Sequence, residues 1–339
     1  MNRLFDICNR TALALLYTVV IARAQDSTLQ KPQELEKFLN MDAKDTATKL
    51  ELIQQMLYRQ EVDSAIRRFE EEYGDRVRLR EVSYPSGLPL IPGYVFTARA
   101  MDKGKKYPGF VLVHGGFHDH FDTYFFKLID DAVSRGYVVI FPDYRGSSGY
   151  GANHYQNAYG TTDVADVIAA GQFLAKQDYV DPNRMGIVGH SRGGMVTLLA
   201  IEKAPRQFKA AVEIAGLTDF VAYMSYKPDY RRAEVAKEAS FSGKLPNDNL
   251  AAYMDVSPVN HVEKIQTPLL VLANTFDETV PLALHSGRLI ELLKAHGKVF
   301  DSHIYTSAPG GHMFPFAETD ESRDCMRRTF EWLGRYLKP

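Results

Sequence analysis

The strongest chemical signal in this 339-residue chain is a serine between two glycines, in Gly189-His190-Ser191-Arg192-Gly193. An apolar run at 184–188 precedes it and a helix-forming stretch at 195–200 follows, so the pattern predicts a strand, a sharp turn and a helix. Such a turn is strained and exposes Ser191 Oγ, while a Cβ at Gly189 or Gly193 would clash with neighbouring elements. We interpret Ser191 as a nucleophile; the alternative is a chance match in a chain with 24 glycines.

Two later segments carry the groups that a nucleophilic serine needs. A hydroxyl is a weak nucleophile at neutral pH, so a base must take its proton and an acid must orient that base. His312 follows the last predicted strand on a glycine-rich loop, and Asp277 follows the predicted strand 269–272, with Glu278 as the rival acid. The chain order of serine, acid and histidine therefore predicts Asp277 as the orienting acid and His312 as the base.

Candidate donors to a developing oxyanion lie in three places. The backbone N–H of Arg192 stands at the predicted helix start, directly after the nucleophile. The loop His114-Gly115-Gly116-Phe117 follows another strand, and the N–H of Gly116 or Phe117 is the second candidate donor; the alternative is a plain glycine turn. Tyr144 is a third candidate through its phenolic hydroxyl, unless its loop is only held by ion pairs of Asp143 and Arg145.

Alternating strands and helices must position these residues. Alternation at 77–100 indicates a pair of strands that opens a sheet at its edge, and apolar strands then alternate with helices, which predicts a mostly parallel, doubly wound α/β sheet covered on both faces. Its functional residues are expected at the carboxyl ends of the strands. The predicted strands are 110–113, 137–141, 185–188, 211–214, 269–272 and 299–305, and the predicted helices are 123–135, 161–177, 195–203 and 282–296.

Together these motifs resemble the α/β-hydrolase catalytic domain of the prolyl oligopeptidase family of serine peptidases. The resemblance rests on the serine turn, the His-Gly-Gly loop, Asp143 to Ser147, Ser257 to Asn260, Asp277 before Val-Pro, and Gly-Gly-His312, and it covers about 81–339. It implies a Ser-Asp-His triad and an acyl-enzyme. Two departures are Arg192, where the family often has tyrosine, and the stretch from Gln25 to Gly74, too short for the family's β-propeller at about 40 residues per blade.

The N-terminal part reads as a targeting segment followed by helices. An apolar run at 11–22 ends in Ala22-Arg23-Ala24, which predicts a signal peptide over 1–24, an exported protein and no stable membrane insertion after cleavage; an uncleaved anchor is the alternative. Cleavage would leave Cys325 as the single cysteine, so no internal disulfide is expected. Residues 25–74 are predicted as one to three amphipathic helices, ending at Gly74, that pack on the catalytic domain at 75–339 or on a second subunit in a homo-oligomer.

Two regions bear on substrate choice. Residues 217–260 are predicted to form a partly helical insertion over the pocket, where Tyr223 and Tyr226 would line a substrate subsite unless they only pack. Glu70, Glu71 and Glu72 could bind a substrate amine, but such a run is more often a solvated helix face.

Composition narrows the functional classes. With 40 Lys and Arg against 42 Asp and Glu, no charge excess points to nucleic acid. No metal cluster and no phosphate-binding loop is found in the sequence, so no cofactor is expected. Three classes remain: a peptidase acting on small peptides, a carboxylesterase acting on acyl or sugar esters, and a non-enzymatic ligand-binding protein of the same fold, which the complete set of Ser191, Asp277 and His312 disfavours.

Overall fold

The computed structural model describes residues 46–87 and 90–339, and the chain divides into two compact units, 1–56 and 57–339. The described part of the first unit is the beginning of one helix, and the second unit holds the predicted catalytic domain. The predicted signal peptide at 1–24 and the first predicted amphipathic positions, 35–39, lie outside the described residues.

A mixed sheet of eight strands forms the centre of the second unit. The strands are β1 Val77–Pro85, β2 Leu90–Ala98, β3 Tyr107–Val113, β4 Val138–Pro142, β5 Val180–His190, β6 Ala210–Ile214, β7 Leu269–Asn274 and β8 Phe300–Tyr305. Their order is β1-β2-β4-β3-β5-β6-β7-β8. The two pairs β1/β2 and β2/β4 are antiparallel and the other neighbours are parallel. The predicted mostly parallel sheet is confirmed. Of the two strands predicted at its edge, β1 is an edge strand and β2 lies inside the sheet.

Helices cover both faces of the sheet. They are α1 Thr46–Tyr73, α2 Phe126–Ser134, α3 Ala152–Tyr155, α4 Thr162–Ala175, α5 Arg192–Lys203, α6 Phe220–Tyr226, α7 Asp229–Ala236, α8 Leu250–Asp255, α9 Ser286–Ala295 and α10 Asp320–Leu337. Strand β3 illustrates why the strands are apolar throughout: Phe110 and Leu112 pack into one core cluster, and Val111 and Val113 into the other. A strand buried on both faces has no polar side, which is why its sequence reads as a continuous apolar run.

The part of helix α1 within the second unit packs through one apolar stripe. Val62, Ala65, Ile66 and Phe69 recur at helical spacing and are buried in the same cluster as Phe110 and Leu112. Gly74 follows the helix, and its N–H donates to the carbonyl oxygen of Glu70 at 3.0 Å. A Cβ at Gly74 would overlap that oxygen, which explains the glycine. The side chains of Glu70, Glu71 and Glu72 are exposed.

The segment 217–260 is partly helical, as expected, and contributes to the core. It holds α6, α7 and α8, and its aromatic side chains stack on one another: the rings of Phe241 and Tyr253 lie 4.0 Å apart between centroids. Phe220 packs against Phe241, at 5.3 Å. The aromatic side chains of this segment therefore serve largely to pack against one another.

Within residues 46–87 and 90–339, no helix combines the length and the apolar character needed to cross a membrane.

Candidate active site

Ser191 stands at the strained turn between β5 and α5. Its φ of 60° lies in the left-handed region that a non-glycine residue seldom adopts, and its N–H donates to the Ile214 carbonyl at 2.9 Å. A Cβ at Gly189 would overlap the Gly193 carbonyl, and a Cβ at Gly193 would overlap the Val113 carbonyl. The steric reason predicted for these two glycines is confirmed.

The crowding at Gly193 predicts a large loss of stability on substitution. In Gly193→Ala the new methyl group would meet backbone oxygens of Val113 and His114, which cannot rotate away, so we expect a cost of about 3 kcal/mol or more in unfolding free energy. Urea unfolding followed by circular dichroism measures it. Gly334→Ala is the matched control, because the methyl group there would find its nearest neighbour at 3.9 Å and alanine favours a helix. Equal stability of the two variants would contradict the steric explanation.

The side chains of Ser191, His312 and Asp277 form one hydrogen-bonded row. His312 Nδ1 lies 2.7 Å from Asp277 Oδ2, and His312 Nε2 lies 2.8 Å from Ser191 Oγ. Because a carboxylate oxygen only accepts, Nδ1 carries the proton, and Nε2 is left to accept from the serine hydroxyl. Asp277 is buried, whereas Glu278 is exposed, so the structure places the first of the two candidate acids against the histidine.

Backbone contacts hold the acid and the histidine in this row. Asp277 Oδ1 accepts from the N–H of Thr279 at 2.9 Å and of Val280 at 2.7 Å, which fixes the carboxylate within its own loop. Asn274 joins the two loops, because its side-chain amide donates to the Gly311 carbonyl at 2.6 Å. Asn274 ends β7, two residues beyond the predicted strand 269–272, and the sequence offered no signal for this role.

His190 supports the histidine loop from the other side. It lies immediately before the serine, and its Nε2–H donates to the His312 carbonyl at 2.9 Å. Burial, followed by repulsion from His312, lowers the pKa of His190 to about 3. His190 is therefore neutral at ordinary pH and acts here as a hydrogen-bond donor.

The predicted oxyanion loop passes directly over the nucleophile. A Cβ at Gly115 would lie 3.2 Å from Ser191 Cβ and from the His190 carbonyl oxygen, which is a tight contact, so glycine favours this approach. Gly116 has a φ of 65°, which turns the loop. On the other side, Arg192 is the first residue of α5, where a helix leaves its backbone N–H groups without intrahelical acceptors. Arg192 thus follows the serine directly, and Gly116 and Phe117 follow the residue that approaches it. All three stay our candidates for the oxyanion donors.

Tyr144 does not fit the role predicted for it. Its ring is fully buried and stacks on His114 at 4.2 Å between centroids, and its hydroxyl donates to the His114 carbonyl at 2.8 Å. The hydroxyl proton is thus used to hold the loop and is not offered to a substrate. The alternative holds for Arg145, which forms an ion pair with Asp166 at 2.6 Å, whereas Asp143 accepts a hydrogen bond from the hydroxyl of Tyr150.

The two tyrosines predicted to bind substrate are mainly engaged within the protein. Tyr226 OH lies 2.8 Å from His285 Nε2 and donates to the Thr279 carbonyl at 3.2 Å, beside the acid loop. Tyr223 is buried and packs against Phe117, with ring centroids 5.9 Å apart. Tyr223 therefore packs against the loop that contains Gly116 and Phe117, and Tyr226 holds the loop that contains Asp277.

One buried carboxyl group that the sequence analysis did not identify lies in β6, the strand beside β5. Glu213, in β6, is fully buried and accepts from the N–H of Gly216. Burial raises the pKa of Glu213 to about 8, an effect that the Gly216 N–H and the Ser286 side chain oppose and the negative charge of Asp277 reinforces. Glu213 is therefore mostly protonated at neutral pH in the folded protein.

The raised pKa of Glu213 makes stability depend on pH. The folded state holds this proton up to about pH 8, whereas the unfolded chain loses it near its ordinary value of 4.5. Stability from this group is thus present below pH 4.5 and is lost as pH rises through 8. We expect Glu213→Gln to melt several degrees above the wild type at pH 9, because a pKa shift of this size corresponds to up to ~5 kcal/mol, with the gap closing towards pH 5. A gap independent of pH would contradict this assignment.

A cavity of about 730 Å³ opens beside the oxyanion loop. Gly116 and Phe117 form part of its wall, and the rest comes from helix α1, the segment that follows Phe117, helix α7, Ser148 and Tyr155 at the end of α3. Its charged and titratable lining side chains are those of Tyr58, Glu61, Arg68, His118, Asp119, His120, Asp122, Tyr155, Arg231 and Glu234. None of Glu70, Glu71 and Glu72 is among the lining residues. The volume lies within the roughly 300–1,000 Å³ typical of small-ligand sites.

The sheet order, the strained serine turn and the loops at the carboxyl ends of the strands define an α/β-hydrolase. A sequence profile of the prolyl oligopeptidase family matches residues 121–339, about two thirds of the chain. The chain belongs to the prolyl oligopeptidase family, a family of serine peptidases. Among the described residues, no group of three or more His, Cys, Asp or Glu side chains is placed to hold a metal ion.

Individual relatives agree with this family. The chain is 29% identical over 263 residues to the acylamino-acid-releasing enzyme of Arabidopsis thaliana, across 74% of this chain and 33% of that protein. It is 28% identical over 257 residues to the uncharacterized peptidase YtmA of Bacillus subtilis, across 76% of this chain and 93% of that protein. The acylaminoacyl peptidase of Pyrococcus horikoshii superposes with a TM-score of 0.66 at 25% identity, across 78% of this chain and 42% of that one. The chain thus spans about a third of the plant enzyme.

Proposed function

We propose that this protein is an exported serine peptidase that cleaves amide bonds of small peptides through an acyl-enzyme, with Ser191 as nucleophile, His312 as general base and acid, and Asp277 as the orienting acid. The observation that carries the proposal is the position of His312, within hydrogen-bond distance of both Ser191 Oγ and Asp277 Oδ2. Family membership and the matched peptidases support the choice of an amide substrate.

Acylation would begin with the attack of Ser191 Oγ on the substrate carbonyl carbon. His312 Nε2 takes the hydroxyl proton as the bond forms, and Asp277 stabilises the resulting imidazolium through Nδ1–H. The carbonyl oxygen becomes an oxyanion, which the N–H of Arg192 and the N–H of Gly116 or Phe117 would stabilise. The imidazolium then protonates the leaving amine, and the C–N bond breaks to leave an ester on Ser191.

Deacylation repeats these steps with water. His312 takes a proton from a water molecule that attacks the acyl carbon, and it returns that proton to Ser191 Oγ as the ester breaks. The same groups would hydrolyse an ester substrate, since the acylation step differs only in the leaving group. A carboxylesterase acting on acyl or sugar esters is therefore the second candidate.

The cavity beside the oxyanion loop supports a small substrate, although Ser191, Asp277 and His312 are not among its described lining residues, of which only Gly116 and Phe117 connect it to the site. Its wall includes Phe117, and its volume of about 730 Å³ suits a few residues of peptide rather than a folded protein. Arg231 lies over the Phe117 ring, with its guanidinium carbon 5.5 Å from the centroid, and forms an ion pair with Glu234 at 2.7 Å. Both signs of charge thus border the apolar part of the cavity.

Matched substrates separate the two candidates. We would measure kcat/KM of the protein starting at Gln25 on aminoacyl and acyl-aminoacyl anilides and on esters of the same acyl groups, with Ser191→Ala as the blank. The proposal predicts anilide turnover that is lost in the blank. Ester turnover without anilide turnover would instead identify a carboxylesterase.

Export and assembly are separate parts of the proposal and rest on the sequence. Ala22-Arg23-Ala24 supports cleavage of a signal peptide before Gln25, and the mass of the N-terminal peptide of protein recovered from the producing cells tests it. An N-terminus at Met1 would contradict it. Within the segment 25–74, residues 62–69 already pack into the core of the second unit. The segment also supports a homo-oligomer, which sedimentation of the full chain tests; a monomer mass at every concentration would contradict it.

A further inference from the structure

Arg192 directly follows the nucleophile, and its side chain is buried. The sequence predicted a role only for its backbone N–H. The side chain is 2% exposed, and its Nη2 donates to Asp163 Oδ2 at 2.6 Å. Asp163 is itself fully buried, in the first turn of α4. A buried guanidinium is tolerated only when it is paired, so the two charges depend on each other.

The same guanidinium reaches the loop that covers the serine. Arg192 Nη1 donates to Tyr144 OH at 3.1 Å, and that hydroxyl donates to the His114 carbonyl at 2.8 Å. Nη1 also lies 3.5 Å from the Gly116 carbonyl oxygen. The contacted carbonyls stand on either side of Gly115, the residue that approaches Ser191. The guanidinium is also enclosed by aromatic rings, with its carbon 4.3 Å from the Tyr159 centroid.

One residue therefore connects both sides of the candidate oxyanion hole. The backbone N–H of Arg192 is one candidate donor, and its side chain holds the loop that supplies the other, at Gly116 or Phe117. An oxyanion hole stabilises the transition state because its donors are fixed before charge develops, so a loosened loop lowers the rate even when both N–H groups are present.

We propose that the buried pair of Arg192 and Asp163, acting through Tyr144, is the positioning device of the oxyanion hole. This inference rests on the proposed serine-hydrolase function. Arg192 contributes to the reaction through its side chain without touching the substrate with it. The proposal explains why this chain has an arginine directly after the nucleophile, where the resembled family often has tyrosine.

The decisive variant is Arg192→Met, which keeps the backbone N–H and most of the side-chain length but removes every side-chain donor. We expect kcat to fall by about 10–100-fold, with KM within about 3-fold, because a displacement of the order of 1 Å costs up to roughly 100-fold. The affinity for a peptide boronate, whose tetrahedral oxygen occupies the hole, should fall in parallel with kcat/KM. Arg192→Lys should recover part of the loss.

Arg184→Met is the matched control. Arg184, in β5, also forms an ion pair with an aspartate, Asp181, at 2.8 Å, but its remaining side-chain contacts are the carbonyls of Lys106 and Lys338 rather than the loop over Ser191. We expect this control to lower stability and to leave kcat and boronate affinity within about 3-fold of the wild type.

Tyr144→Phe keeps the inference testable if Arg192→Met does not fold. Phenylalanine retains the ring stacked on His114 and removes only the hydroxyl between Arg192 and the His114 carbonyl, so we expect kcat to fall by about 3–10-fold. Folded Arg192→Met with kcat within about twofold of the wild type would overturn the inference, as would unchanged kcat in Tyr144→Phe or a loss confined to KM. Activity that survives in Ser191→Ala would instead refute the proposed function itself.

Discussion

Ser191→Ala is expected to lower kcat by about 10⁴-fold or more on every substrate that the wild type turns over. The substitution removes the atom that would attack the carbonyl, and the neighbouring donors cannot replace it. Burst and steady-state kinetics on one anilide and one ester measure the loss. The fold should survive, because alanine is smaller than serine and the turn depends on the backbone at Gly189 and Gly193.

The control for this prediction is the melting temperature. We expect the melting temperature to change little. Among the described hydrogen bonds, that of Ser191 Oγ joins it to His312 and none joins it to a core residue. Wild-type activity in the folded variant would remove Ser191 from the mechanism, and the search for a nucleophile would have to move elsewhere.

Asp277→Asn is the second large expected effect, with a fall in kcat of about 10⁴-fold. The asparagine amide can present a donor to His312 Nδ1, which favours the tautomer with its proton on Nε2, and that nitrogen can no longer accept the serine proton. Glu278→Gln is the matched control, because it neutralises the adjacent carboxylate. Glu278 is exposed, and we expect its variant to stay within about twofold of the wild type.

The pH dependence of kcat/KM completes this comparison. Asp277→Asn should regain activity at alkaline pH, where hydroxide assists the attack, whereas Glu278→Gln should follow the wild-type profile. A severe loss in Glu278→Gln together with a mild one in Asp277→Asn would transfer the acid role to Glu278.

The sequence was sufficient to predict the course of the backbone at the candidate site. The strained turn at Ser191 needs glycines two residues before and after it, and both are required sterically in the structure. Strands buried on both faces read as apolar runs, so the carboxyl ends that carry His114, Asp277 and His312 could be located within a few residues. These features depend on residues that are close together in the sequence, so sequence patterns are enough to predict them.

Side-chain partners could not be predicted in the same way. The hydroxyl of Tyr144 could equally face a substrate or the protein, and only the packing of its loop directs it to the His114 carbonyl. The pairing of Arg192 with Asp163 joins residues from two helices, and neither spacing nor composition indicates it. Partners of this kind depend on how elements pack in three dimensions, which periodicity does not encode.

The cavity shows the same limit. The helical character of α1 follows from its periodicity, but the face that it turns to the cavity does not. The sequence favoured a solvated face for Glu70, Glu71 and Glu72, which are exposed, and gave no sign of the lining residues Glu61 and Arg68.

The most direct test of the central claim is the site of covalent capture by a peptidyl phosphonate, located by peptide mass mapping. The wild type should gain one adduct, on Ser191, at a rate that falls sharply when His312 is replaced by alanine, because the imidazole activates the hydroxyl. Ser191→Ala should gain none. An adduct on another residue, or a wild-type protein that stays unmodified while it cleaves peptides, would contradict the account.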